Sequence, residues 1–141
     1  MKRRSAGKPA QPPEDFVLFL DENLERCAPI LQMLAAEGVR VELHSAHFDR
    51  GAGDDVWLPQ VAQSGWCILT EDKRLRYNEW EKKALRLHKA REFCFSSGNL
   101  SGMEMAEALR KALPAARRFA EKLPGPCVIM IHKSGTAKRV L

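Results

Sequence analysis

Apolar positions along this chain fall into runs and stripes that alternate regularly. Residues 16–20 are continuously apolar (Phe-Val-Leu-Phe-Leu), as expected of a central parallel strand covered on both faces. Residues 66–69, 92–96 and 127–131 read as further strands, the first of them also buried. Val39, Val41 and Leu43 alternate with polar residues, which predicts a strand near a sheet edge. Between these runs the spacing turns helical. Leu24, Ile30, Leu31, Leu34 and Ala35 share one face. Pro29 sets regular helix from about Ala28, and Gly38 supplies a C-cap. Residues 44–53 read as a loop. Asp54 opens a short helix to about Ser64, closed by Gly65.

Two capping boxes mark later helix starts: Asn78-x-x-Glu81, opening a charged helix to about Ala90, and the better-formed Ser101-x-x-Glu104. The last helix carries Met105, Ala106, Leu109, Leu113, Ala116 and Ala120 on one stripe. Pro114 is expected to kink it or split it in two. A turn over 133–136 would bring a short antiparallel strand back to about Val140. The order β-α-β-α-β-α-β-α-β predicts an α/β fold, with a central, mostly parallel sheet of about five strands between helices. Residues 1–15, polar and rich in Pro, Lys and Arg, are expected to be a disordered basic tail, leaving 16–141 as one domain.

Composition changes this picture little. A chain of 141 residues, 45% hydrophobic and 29% charged, suits one soluble domain with one core. The net charge of +5 is shared between the tail and the body, which keeps +3; it fits a polyanionic partner without requiring one. Cys27, Cys67, Cys94 and Cys127 show no CxxC or other metal-ligand spacing. Free thiols in a reducing cytoplasm are the simplest account. No secretory leader and no apolar run near the ~20 residues of a membrane span is visible.

Candidate chemistry lies in three acidic stretches. Asp21-Glu22-Asn23 follows the first strand, Gly53-Asp54-Asp55 precedes a helix, and Thr70-Glu71-Asp72 ends the third strand. The carboxyl ends of parallel strands share one sheet edge, so these acids are expected to converge. Clustered carboxylates repel unless a cation or a shared proton relieves them, which points to a hard divalent ion. Each also has a structural explanation: Asp21 and Asp54 or Asp55 as helix caps, Asp72 in an Asx-turn. Thr70 is placed to hydrogen-bond a metal-bound water or a phosphate oxygen. Other templates fail: there is no His-Glu-x-x-His, Walker A sequence or GxSxG elbow, and His44, His47, His88 and His132 have no ligand spacing.

Taken in order, these stretches resemble PIN-like domains: Phe-Leu-Asp21-Glu-Asn23, Asp54-Asp-Val-Trp57-Leu, Gly65-Trp-Cys-Ile-Leu-Thr70-Glu-Asp72-Lys-Arg74 and Ser97-Gly-Asn99-Leu-Ser-Gly. The similarity runs from Phe16 to the C-terminus and is nearest to the VapC-type branch of toxin–antitoxin ribonucleases. It implies a three-layer α/β/α domain that hydrolyses RNA with Mg²⁺ or Mn²⁺. Carried over position by position, Asp21, Asp54 and Asp72 would hold the metal, with Asp55 as an alternative to Asp54. Thr70 would be the hydroxyl beside it, and Asn23 and Asn99 would be phosphate or outer contacts. It further implies an antitoxin partner, and admits a homodimer. The chain departs from the pattern where a fourth acid is usual, since the 97–99 loop offers only hydroxyl and amide groups.

Lys73, Arg74 and Arg76 follow Asp72 and could hold an RNA backbone across the scissile bond; a solvated helix start explains them as well. Trp57 and Trp66 read as core, while Trp80, set among charges, is the better base-stacking candidate. The thinned acid set leaves a second reading, a weak or inactive RNA-binding or regulatory module. A third, an aspartyl phosphatase with Asp21 as nucleophile, lacks the usual Asp-x-Asp because residue 23 is Asn.

Overall fold

A computed structural model describes residues 16–71, 79–96 and 99–141, without the side chains of Asp54 and Glu81. The N-terminal tail, the Asn78–Glu81 capping box, Asp72, Lys73, Arg74, Arg76 and the start of the 97–99 loop lie outside what it describes. In chain order the elements are β1 (Val17–Leu20), α1 (Ala28–Ala36), β2 (Arg40–Leu43), α2 (His44–His47), α3 (Asp54–Gln63), β3 (Cys67–Thr70), α4 (Glu79–His88), β4 (Arg91–Phe95), α5 (Gly102–Lys122), β5 (Cys127–Ile131) and β6 (Ala137–Arg139). They form one sheet in the order β2-β1-β3-β4-β5-β6. All pairs are parallel except β5 with β6, so the alternation and the terminal hairpin read from the sequence are both present.

Sequence pattern explains the placement. β1, β3 and β5 are buried along their whole length, as continuous apolar runs require, while the alternating β2 is an edge strand with Arg40 exposed. One sheet face turns Leu18, Leu20, Leu69 and Phe93 toward Leu34 of α1 and Leu109 of α5. The opposite face turns Phe19, Ile68 and Val128 toward Trp57 and Val61 of α3 and Leu85 of α4. Each such side chain contributes about 1.5–3 kcal/mol by leaving water. Gly38 (φ 70) and Gly65 (φ 78) end α1 and α3 in the left-handed conformation, which a residue without a Cβ adopts freely. The Ser101–Glu104 capping box is formed in both directions.

Three local expectations change. The 44–53 segment contains α2, because distant carboxylates hold its backbone: Glu25 accepts from the Ser45 amide at 2.9 Å and Glu22 from the Gly51 amide at 3.0 and 3.1 Å. Pro114 does not split the last helix. It sits on the exposed side of an unbroken α5, with buried Ala112, Leu113 and Ala116 anchoring the turns around it. Neither Asp21 nor Asp54 is an N-cap, since Cys27 and Gly53 occupy those positions in α1 and α3.

The topology decides where a site forms. From β1 the chain moves to β2 on one side, and then returns to place β3 on the other side of β1. Ligands of open α/β sheets bind in the crevice outside the carboxyl ends of strands at such a switch point. Here those ends are Leu20 and Thr70.

Candidate active site

Leu20 pairs with Leu69, so Asp21 and Thr70 are the next positions in register at the carboxyl ends of β1 and β3. Strand alternation puts both on the Phe19–Ile68 face. The structure brings them into contact, with the Thr70 hydroxyl donating to Asp21 Oδ2 at 2.6 Å. The Leu24 amide donates to Oδ1 at 3.0 Å, and the Asn23 amide adds a further bond. These contacts orient a carboxylate that sits at the head of a tight turn rather than a helix. Thr70 is buried. Its proton is committed to Asp21, so toward water or substrate its hydroxyl has only lone pairs to offer.

Burial pushes the Asp21 carboxyl above its ordinary value of 3.8; the bonds from Thr70, Leu24 and Asn23 oppose this, and the Glu71 charge adds to it. Strong desolvation beside an orienting hydrogen-bond set is characteristic of functional carboxylates. A cation would relieve the cost of ionising it. The donors are hard oxygens, which suit Mg²⁺ or Mn²⁺ rather than a soft metal.

The other two acids are placed only by their backbone or not at all. Asp54 is the first residue of α3, which starts on the sheet edge where the preceding β2 ends and lies on the Asp21 face, with Trp57 against Phe19 at 5.5 Å between ring centroids. Its side chain is outside the described residues, as is all of Asp72. Asp55 is exposed and lines a groove between α3 and α4 with Trp80 and Lys83. Among the described residues no three His, Cys, Asp or Glu side chains form a metal cage. Asn99 is exposed beyond β4, and Asn23 is exposed in the turn after Asp21. Trp57 is core, Trp66 packs against that core, and Trp80 is 56% exposed.

Beside Asp21 lies a cavity of about 250 Å³ that the sequence pattern did not announce. Glu22, Asn23, Glu25 and Arg26 line it from the β1–α1 turn, and His44, Ser45 and Arg50 from the opposite segment. His44 is 1% exposed, packed near Phe19, Phe48 and Trp57. No helical or strand period marks it, and its location follows only from the two glutamates that fasten the 44–51 segment.

Residues 16–97, more than half of the chain, match the family model described as a PIN like domain. The chain belongs to the PIN-like family. Among curated proteins, this PIN-like domain is 26% identical over 121 residues to "Putative ribonuclease VapC45" of Mycobacterium tuberculosis (strain ATCC 25618 / H37Rv), covering 83% of this chain and 86% of that protein. No solved structure matches it. The matched range takes in β1 and β3, and with them the described contact between Asp21 and Thr70; Asp54 and Asp72 fall within it by sequence alone.

Proposed function

We propose that this PIN-like domain is a metal-dependent endoribonuclease, the toxin of a type II toxin–antitoxin pair. The observation that carries the reading is Asp21, desolvated yet held in fixed orientation by Thr70 and the Leu24 amide at the switch point of the sheet. Similarity to a relative named as a ribonuclease supports the substrate class. Asp21, Asp54 and Asp72 would hold Mg²⁺ or Mn²⁺, with Thr70 fixing the first of them. Such an ion polarises a phosphodiester and lowers the pKa of an attacking water. Lys73, Arg74 and Arg76 would position the RNA backbone, and Asn23 and Asn99 would contact phosphate oxygens. The partners are then RNA and an antitoxin protein, with a second copy of the chain as a further candidate. Cys27, Cys67, Cys94 and Cys127 form no disulfide, and no helix among the described residues is long and apolar enough to cross a membrane; both facts agree with a cytoplasmic site of action.

The test is cleavage of single-stranded RNA by the purified chain. With Mn²⁺ present, cleavage is expected, abolished by EDTA and restored by added metal. Asp21→Asn is expected to lower the rate by more than about 100-fold, beyond the cost of losing an outer-shell partner. RNA binding with no metal-dependent turnover would overturn the nuclease reading in favour of a regulatory module. For the toxin role, a co-expressed protein encoded beside this gene should suppress the growth defect that the chain causes.

A further inference from the structure

The cavity beside Asp21 has unspent hydrogen-bonding groups of both signs. His44 is buried there, yet neither ring nitrogen has a hydrogen-bond partner; its nearest acid is Glu22, with Nε2 to Oε1 at 3.7 Å. A buried polar group without a protein partner is costly, and at a cavity wall its bonding is completed by what fills the cavity, water or a ligand that displaces it. The charged residues around it point the same way. Arg26 and Arg50 share the cavity with Glu22 and Glu25, but among the described residues neither arginine is ion-paired or hydrogen-bonded. The glutamates are only partly used. Glu25 Oε1 takes the Ser45 amide, and both Glu22 oxygens share the single Gly51 N–H. A carboxylate offers about four lone-pair sites, so acceptors remain on both.

Equal numbers of carboxylates and guanidinium groups argue against a bare phosphate, which two acids would repel. They suit a ligand with donors on one edge and acceptors on another. RNA is read sequence-specifically through splayed single-stranded bases, hydrogen-bonded at their edges and stacked on aromatic rings or arginine planes. Guanine alone among the four bases has two adjacent donors (N1–H and N2–H₂) facing a carboxylate and two adjacent acceptors (O6 and N7) facing an arginine fork. The volume of about 250 Å³ accommodates one purine and not a base pair.

We infer that this cavity, walled by Glu22, Arg26, His44 and Arg50, receives one unstacked guanine of the RNA next to the phosphate at Asp21. It thereby selects where the chain is cut. This rests on the reading of the domain as RNA-directed. It adds a specificity pocket formed by the β1–α1 turn and the segment from α2 to residue 51.

The test is equilibrium binding of short fluorescent single-stranded RNAs to the Asp21→Asn chain, which removes cleavage from the measurement. The oligonucleotides carry one guanosine, or adenosine, uridine, cytidine or an abasic ribose in its place, in an otherwise uniform sequence. A preference of about tenfold for guanosine over every replacement is expected, the scale of one good bidentate contact. Adding Arg50→Ala should bring that ratio close to one. Arg50 is exposed and makes no bond within the described residues, so thermal unfolding of the variant should match its parent. Equal affinity for all bases, a ratio untouched by Arg50→Ala, or abasic RNA binding as well as guanosine would overturn the inference, the last by showing a phosphate site. Parallel cleavage by the wild-type chain separates the two readings. Cleavage without guanosine preference removes only the pocket, and preference without cleavage removes only the nuclease.

Discussion

Asp21 bears opposing demands, and they predict its behaviour. Burial disfavours its charge, so folding favours the protonated form more than the unfolded chain does, raising the carboxyl above 3.8. The folded state then binds more protons than the unfolded state as pH rises from 3.8 to the raised value. Its stabilising contribution is complete below 3.8 and is lost as pH rises through that window. In metal-free buffer with EDTA, Asp21→Asn is therefore expected to have a higher Tm than wild type at neutral pH, with the difference shrinking on acidification. A Tm gap independent of pH would show that the carboxylate carries no such burden. Thr70 acts one step removed. Thr70→Ala leaves Asp21 held only by the Leu24 and Asn23 amides, and if Asp21 holds the metal a 10–100-fold loss in apparent Mn²⁺ affinity is expected by calorimetry. An unchanged affinity would reduce Thr70 to a core residue.

At the scale of elements, what could be read ahead depended on whether the signal was local. The continuous run 16–20, the alternation over 39–43 and the Ser101–Glu104 box each carry their own cause, and β1, β2 and the start of α5 appear where those causes put them. Parallel register puts Asp21 and Thr70 at one sheet edge, but their direct hydrogen bond was not foreseen, and the side chains of Asp54 and Asp72 lie outside the described residues. α2 was not legible: its backbone is held by Glu22 and Glu25 across the sheet edge, and no spacing within 44–53 encodes that. The buried His44 and the cavity it lines were lost with it. Pro114 misled in the other direction, since tertiary burial of Ala112, Leu113 and Ala116 outweighs a local helix penalty of about 3 kcal/mol. That penalty is still present in the fold. Pro114→Ala should stabilise the chain by about 2 kcal/mol, once about 1 kcal/mol is deducted for the looser unfolded state, as read by urea unfolding. A destabilised variant would mean that the ring itself makes contacts the helix needs.

Across the whole molecule, charge and topology act together. On the proposed reading, the net +5 would supply a general attraction for RNA, and the sheet's switch point would fix where a phosphodiester meets the acids. Attraction of this kind weakens with salt in proportion to the phosphates contacted. If Lys73, Arg74 and Arg76 follow the backbone, alanine at each should flatten the slope of log affinity against log salt by about 0.7 for a single strand. Slopes identical to wild type would make them a solvated helix start. Asp55, exposed on the α3–α4 groove, should tolerate Asn without loss of cleavage, which separates it from Asp54.

The decisive measurement is Mn²⁺ binding followed by electron paramagnetic resonance on the wild-type chain and on Asp21→Asn, Asp54→Asn and Asp72→Asn. One tightly bound ion per wild-type chain, lost or greatly weakened in every variant, is the predicted result. Undiminished binding in all three, or no binding by the wild type, would contradict the idea that the fold assembles these acids around a divalent cation.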